Sequence, residues 1–335
     1  MSQMYNLLTD VDGIKVGHAQ NLDALTGCTV VLIEKGAVGG VDQRGGAPGT
    51  RETDLLRPMH MVDKVHGILL TGGSAFGLDA ATGVMKYLEE HGIGFNSGTV
   101  KIPIVPAAVL FDLAIGDPSV RPDAVMGYQA CQNAASGSFK LGNVGAGTGA
   151  TVGKILGMKQ AMKSGIGSAS LEIGGGVIVA ALVAVNAFGD VVDPANRQIL
   201  AGTRPMQAGP FTIGGKNQFA DTLEIMKSLP GRAIMSFASA ASNTVIGVIA
   251  TNADLNKEEA NKLAQMSHNG LALSIRPAHT MFDGDTIFAL ATGRHRADIN
   301  IVGAYAAEVM AQAVINAVKS AESAGGLPAA QTIDH

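Results

Sequence analysis

Asn243-Thr244 stands directly before the apolar run Val245–Ala250 and after the small residues Ala238-Ser239-Ala240-Ala241-Ser242. A threonine at the start of a buried strand has an ordinary reading, because a β-branched side chain suits extended backbone. It also has a chemical one. If the preceding peptide bond is strained, Thr244 Oγ attacks the carbonyl carbon of Asn243. The acyl group moves from nitrogen to oxygen, and water then cleaves the ester. The new chain begins at Thr244, and its α-amine, of ordinary pKa about 8, serves as base for its own hydroxyl. Nucleophile and base arrive in one residue.

Asp283-Gly284-Asp285 leads into a second apolar run, Thr286–Ala291. In extended backbone, side chains two apart point the same way. Held close together, one carboxyl takes a raised pKa and shares a proton with a neighbouring hydroxyl or amine. The same triplet also reads as a surface Asp-Gly turn, and spacing alone favours that reading. His268, His279 and His295, with these aspartates, follow no compact ligand spacing, so no metal site is expected. Gly145-Ala146-Gly147-Thr148-Gly149-Ala150 fits the letters of a dinucleotide fingerprint, yet Phe139–Asn143 before it is not a buried strand. Gly153-Lys154 fails as a phosphate loop, since Ile155 stands where a hydroxyl must hold magnesium.

These residues need a scaffold. The chain has 335 residues, 47% hydrophobic and 16% charged, with 44 glycines, no tryptophan and 4% aromatics. Disorder is excluded, and the core must be built from small aliphatic side chains in close layers. A balance of 24 Lys+Arg against 28 Asp+Glu gives no footprint for nucleic acid. Two cysteines, Cys28 and Cys131, make no disulfide framework and fit a reducing cytoplasm. The N-terminus lacks an apolar signal core. The uncharged run Ile173–Gly189 is too short and too interrupted to span a membrane and reads as a buried strand.

Strands are expected over Cys28–Ile33, Val65–Leu70, Val177–Val185, Ala233–Ala238, Val245–Ala250 and Thr286–Ala291. Helices are expected from an N-cap at Ser74 to Gly92, from a capping box at Asn256 and Glu259, and from Asp298 to about Ala321. Val177–Val185 is apolar on both faces, which calls for sheets covered by helices and by another sheet. Residues 204–231 read as a flexible loop and the last twelve, AGGLPAAQTIDH, as a frayed tail.

Six segments occur in one order: Arg44–Glu52, Leu70–Leu78, Val144–Gly147, Val185–Asp190, Asn243-Thr244 and Phe282–Thr286. Together they resemble the DmpA family of L-aminopeptidase/D-esterases, β-peptidyl aminopeptidases and nylon-oligomer hydrolases, over almost the whole chain. The resemblance implies an α/β fold, an αββα four-layer sandwich of the DmpA/ornithine-acetyltransferase type, as one domain spanning residues 1–335. It implies self-cleavage into a large chain, 1–243, and a small chain, 244–335, which assemble into a tetramer of heterodimers. It makes Thr244 the nucleophile and Asn186 a donor to the oxyanion. Lys154 becomes a cation near the nucleophile, and Asp283 and Asp285 orient its amine and hydroxyl.

Two positions depart from the family pattern. Phe111 stands where a tyrosine is expected, and Val109 stands about where aminopeptidase members carry a glutamate for the substrate's amine. The pocket implied is therefore more apolar. The expectation is a cytoplasmic hydrolase of small peptides, amino-acid amides or amide oligomers, with no cofactor, no nucleic-acid partner and no membrane partner. Acyl transfer of the ornithine-acetyltransferase type, or nucleotide binding at Gly145–Ala150, are the alternatives.

Overall fold

The computed structural model describes residues 4–209, 211–215, 218–229, 231–232 and 243–332. In chain order its main elements are β1 (Lys15–Asn21), β2 (Thr26–Gln43), β3 (Lys64–Thr71), α1 (Ala80–Glu90), β4 (Ala107–Val109) and α2 (Ala124–Gln132). Then come β5 (Ile166–Glu172), β6 (Ile178–Asn186), α3 (Thr222–Lys227), β7 (Thr244–Ala253), α4 (Lys257–Ser274), β8 (Thr286–His295) and α5 (Ile299–Lys319).

The layering follows from one strand that serves two sheets. Over Thr26–Leu32, β2 pairs antiparallel with β1 and β3, and β4 lies parallel to β3 beyond it. The register then shifts between Leu32 and Ala37, pairing with β3 ends at Val38, and Val38–Gln43 pairs with β8. The second sheet runs β5-β6-β7-β8-β2. β7 and β8 are parallel, and its other neighbours antiparallel.

Side-chain alternation along the strands sorts the core. Ile246, Val248 and Ala250 of β7, with Leu182, Phe288 and Leu290, face Val31, Ile68 and Leu70 of the first sheet. Val245 and Ile249, with Val183 and Ile287, face the opposite way onto α4 and α5 through Leu263, Val302 and Val309. Val30 and Leu69 on the outer face of the first sheet meet Val84 and Leu88 of α1 and Ala130 of α2. The order is helices, sheet, sheet, helices, the expected αββα sandwich. Helix α5 is long and apolar enough by composition to cross a membrane, but one face of it is spent on this packing.

Local signals set several boundaries. Asn256 Oδ1 accepts from Glu259 N while Asn256 N donates to the Glu259 carboxylate, and Asp298 caps α5 by accepting from Asn300 N. Other expectations needed correction. Ser74 is no helix cap: it has φ +53 and opens a 3-10 stretch, Ser74–Asp79, before α1 begins. Residues 204–231 hold a hairpin, Met206–Ala208 with Phe211–Ile213, and α3, capped by Asp221. The C-terminal segment does not fray as far as it is described. Leu327, Ala329 and Ala330 are buried, and Pro328 O accepts Lys163 N. Ala233–Ala238 lies outside the described residues.

Close approach of α4 to the second sheet depends on Gly40 in β2. A Cβ there would lie 2.4 Å from the Ala260 carbonyl carbon and 2.5 Å from Asn261 N, both backbone atoms that cannot step aside. Gly40→Ala is expected to lower stability by about 2 kcal/mol, seen as a lower urea midpoint with an unchanged slope.

Candidate active site

Strand pairing gathers residues that lie far apart in sequence. Asn186, the last residue of β6, is the ladder partner of Thr244, the first residue of β7. One residue earlier, Asn243 bridges in parallel to Asp283, just ahead of β8. Asn186, Asn243-Thr244 and Asp283–Asp285 thus meet at one end of three adjacent strands.

The Asn243–Thr244 peptide is held from several sides. Asn243 N donates to Phe282 O at 2.8 Å, and Gly284 N donates to Asn243 O at 2.8 Å. Thr244 Oγ donates to the same carbonyl oxygen at 2.5 Å. Two donors on one carbonyl withdraw density from its carbon and stabilise negative charge on its oxygen. Gly284 is required by space: a Cβ would sit 2.3 Å from Ala47 O and 2.9 Å from Thr244 Oγ. The triplet is therefore not a surface turn. Asp283 and Asp285 are each only 2% exposed.

The two carboxylates have different partners. Asp285 Oδ1 accepts Val245 N at 2.8 Å, while Oδ2 accepts His279 N at 3.2 Å and pairs with His279 Nδ1 at 2.7 Å. Asp283 Oδ2 accepts Thr280 N at 2.9 Å and Thr280 Oγ at 2.5 Å, and Oδ1 accepts Phe188 N at 3.4 Å. Burial raises the Asp283 pKa, and the neighbouring charge of Asp285 adds to that.

Lys154 is buried behind Asn186. Its Nζ donates to Asn186 Oδ1 at 2.7 Å and to Asn186 O at 3.2 Å. Thr151 N also donates to Oδ1, so the amide is turned with Nδ2 toward Phe111 O, at 2.9 Å. An amide nitrogen has two hydrogens, and this leaves one for another acceptor. Burial pulls the Lys154 pKa down to about 7, against the opposing pull of Asp283 and Asp112.

Val109 and Phe111 line a cavity of about 240 Å³ with Ala47, Pro48, Ser74 and Thr244. Its described lining carries no charged side chain. All eight expected site positions thus lie around this cavity and the strand ends beside it, Lys154 reaching it through Asn186.

The remaining motifs resolve differently. Gly145–Ala150 is buried, with a 3-10 turn over Gly145–Gly147. A Cβ on Gly147 would meet Ile166 N at 2.2 Å, and Gly147 O and Ala150 O accept Lys163 Nζ. The segment is packed backbone with no room for a nucleotide. His279 reaches the site without a sequence signal, six residues ahead of Asp285 in a loop that spacing does not orient. His268 packs edge-on to His279, whereas His295 pairs with Ala253 at the far end of β8. Among the described residues no three His, Cys, Asp or Glu side chains gather as a metal-ligand set.

The model of peptidase family S58 matches residues 6–331. The chain belongs to peptidase family S58. An uncharacterized aminopeptidase of Mycobacterium leprae is 42% identical over 98% of this chain and 94% of its own length. A 6-aminohexanoate-oligomer endohydrolase of Kocuria sp. is 32% identical over 92% of this chain and 85% of its own. The solved L-aminopeptidase D-Ala-esterase/amidase of Ochrobactrum anthropi, described as a variant of the Ntn hydrolase fold, superposes with a TM-score of 0.71. It is 19% identical, over 98% of this chain and 90% of its own. The S58 chain described here shares that fold.

The buried lysine gives this S58 site a pH signature. Its folded-state pKa of about 7 lies below the ordinary 10.5, so unfolding takes up a proton between those values. The contribution of Lys154 to stability therefore rises with pH across that window, and its full penalty is felt below it. Wild type should gain on Lys154→Met by more than about 1 kcal/mol between the two ends of that range, measured as the difference in urea-unfolding free energy.

Proposed function

We propose that this chain is an N-terminal-nucleophile amidohydrolase that cuts itself between Asn243 and Thr244 and then hydrolyses small amides. The products of the cut are residues 1–243 and 244–335. The observation that carries the reading is the Thr244 hydroxyl, 2.5 Å from the oxygen of the carbonyl it would attack, with Gly284 N–H on that same oxygen at 2.8 Å.

In the first reaction Thr244 Oγ bonds to the Asn243 carbonyl carbon and gives up its proton. Gly284 N–H steadies the charge that builds on Asn243 O. The C–N bond then breaks as the leaving nitrogen takes up the proton that the hydroxyl gave up, and residue 243 is left as an ester on Thr244, whose α-amine is now free. Water hydrolyses that ester to a carboxylate on Asn243, freeing the hydroxyl and the α-amine of Thr244.

In turnover the amine takes the hydroxyl proton as Oγ attacks the substrate carbonyl, and returns it to the leaving amine. Asn186 Nδ2, with one hydrogen uncommitted to Phe111, and Gly284 N–H, released from the departed carbonyl, are the donors for the substrate oxyanion. Lys154, fixed on Asn186 Oδ1, favours the neutral amine in its protonated form. Asp285 holds the start of β7 through Val245 N. Water then releases the acyl group from Thr244.

The uncharged lining around Val109 and Phe111 supports substrates with an apolar, uncharged acyl part, including peptides and amide oligomers without a free amine at the cut. The Kocuria relative is named for endo-cleavage of an oligomer and the Mycobacterium relative for aminopeptidase action. The pocket here supports the former mode.

Intact-mass spectra of the purified protein test the reading. Wild type is expected as two chains, the smaller beginning with Thr244. Thr244→Ala should stay whole and lose at least about 10³-fold in amide hydrolysis, while Thr244→Ser retains both reactions at lower rate. An unbroken wild-type chain after long incubation overturns the proposal.

A further inference from the structure

We propose that His279 is a positioning residue for the nucleophile, acting through Asp285; the inference rests on the amidohydrolase reading above. Once the chain is cut, Thr244 is a chain end, and end residues fray unless something ties them down. The first peptide N–H downstream of the nucleophile, that of Val245, is tied to Asp285 Oδ1 at 2.8 Å. That tie is only as rigid as the carboxylate. What fixes the other oxygen, Oδ2, is His279, through its backbone N–H at 3.2 Å and its ring Nδ1 at 2.7 Å. Without the ring donor, Oδ2 keeps only the longer bond, and the carboxylate is free to turn about its last torsion and carry Oδ1 with it.

The ring is itself braced. His279 stands in the left-handed backbone region at φ +57, which directs its side chain back over Asp285. It packs edge-on against His268, with ring centroids 4.9 Å apart and an interplanar angle of 71°. His268 is fully buried on α4, and its Nε2 bonds to Asp42 O of β2 at 3.0 Å. A continuous line of contacts therefore runs from the backbone of β2 through His268, His279 and Asp285 to the first peptide of β7. Its effect is to keep Thr244 Oγ and its amine in the reacting geometry, where a displacement of about 1 Å costs on the order of 10²-fold in rate.

Three replacements separate this from a structural role. Asparagine places an N–H donor where Nδ1 stands and tolerates left-handed backbone. Glutamine carries its donor one bond too far, and alanine has none. With a small uncharged amide substrate, His279→Ala and His279→Gln are expected to lose about 30- to 100-fold in kcat with KM within about threefold of wild type. His279→Asn should recover to within about fivefold of wild type. Should the alanine variant stay uncut, self-cleavage rates read on a gel replace kcat, and the same order is expected. The proposal is overturned if His279→Ala matches wild type within about threefold. It is equally overturned if all three variants are impaired alike and melt at lower temperature, since that is loss of packing. A wild-type chain that neither cuts itself nor hydrolyses amides brings down the amidohydrolase reading, and this inference with it.

Discussion

The geometry of the site depends on how the peptide between Asn243 and Thr244 is gripped at the mouth of the second sheet. Antiparallel pairing to β6 sets Asn186 opposite Thr244, and the parallel bridge to Asp283 sets Gly284 N–H on the Asn243 carbonyl. A strand with partners on both sides cannot slide by one residue without turning its buried face outward. Val245 and Ile249 would exchange faces with Ile246 and Val248, and both cores would be lost. The register that places the hydroxyl by the carbonyl is therefore enforced by hydrophobic packing along the whole of β7, well beyond the site.

Charge is concentrated where water is excluded, and each group has compensating partners. Lys163, fully buried, spends its ammonium on three backbone carbonyls, and Lys154 spends its own on Asn186. Burial brings both lysines down to about 7 and raises Asp283 and Asp112. The shifts share one cause, the exclusion of water from charged groups, and they gather around the residues proposed to react. The many glycines make such crowding possible. At Gly284, Gly147 and Gly40 a neighbouring backbone occupies the space of a Cβ.

The cavity beside Thr244 separates chemistry from selection. The groups proposed to polarise and transfer protons lie on β6, β7 and the approach to β8, whereas apart from Thr244 the lining of the cavity comes from Ala47–Gly49, Ser74-Ala75 and Val109–Phe111, on the first sheet and its loops. Substitutions on the first sheet can therefore alter which acyl group is held without disturbing the reacting residues. Val109 and Phe111 are where such variation would act in this S58 member, since both line the cavity that Thr244 lines.

Much was legible in the sequence. Alternation and apolar runs located β6, β7 and β8, capping residues marked α4 and α5, and the ordered motifs pointed to Asn186, Thr244, Asp283 and Asp285 together. These signals are local, or depend on several short segments occurring in one order. Tertiary structure decided the rest. The spacing of Asp283-Gly284-Asp285 favours a surface turn, and the pair is buried instead because β2 and β7 flank β8. Strand β2 reads as the short run Cys28–Ile33, since glycines and charges interrupt the 18 residues that in fact cross between two sheets. Ser74 has the chemistry of a helix cap, but its left-handed backbone is imposed by the turn after β3. His279 illustrates the same limit: its ring gains its role from the Asp285 oxygen it reaches, and only the packed layers determine which oxygen that is.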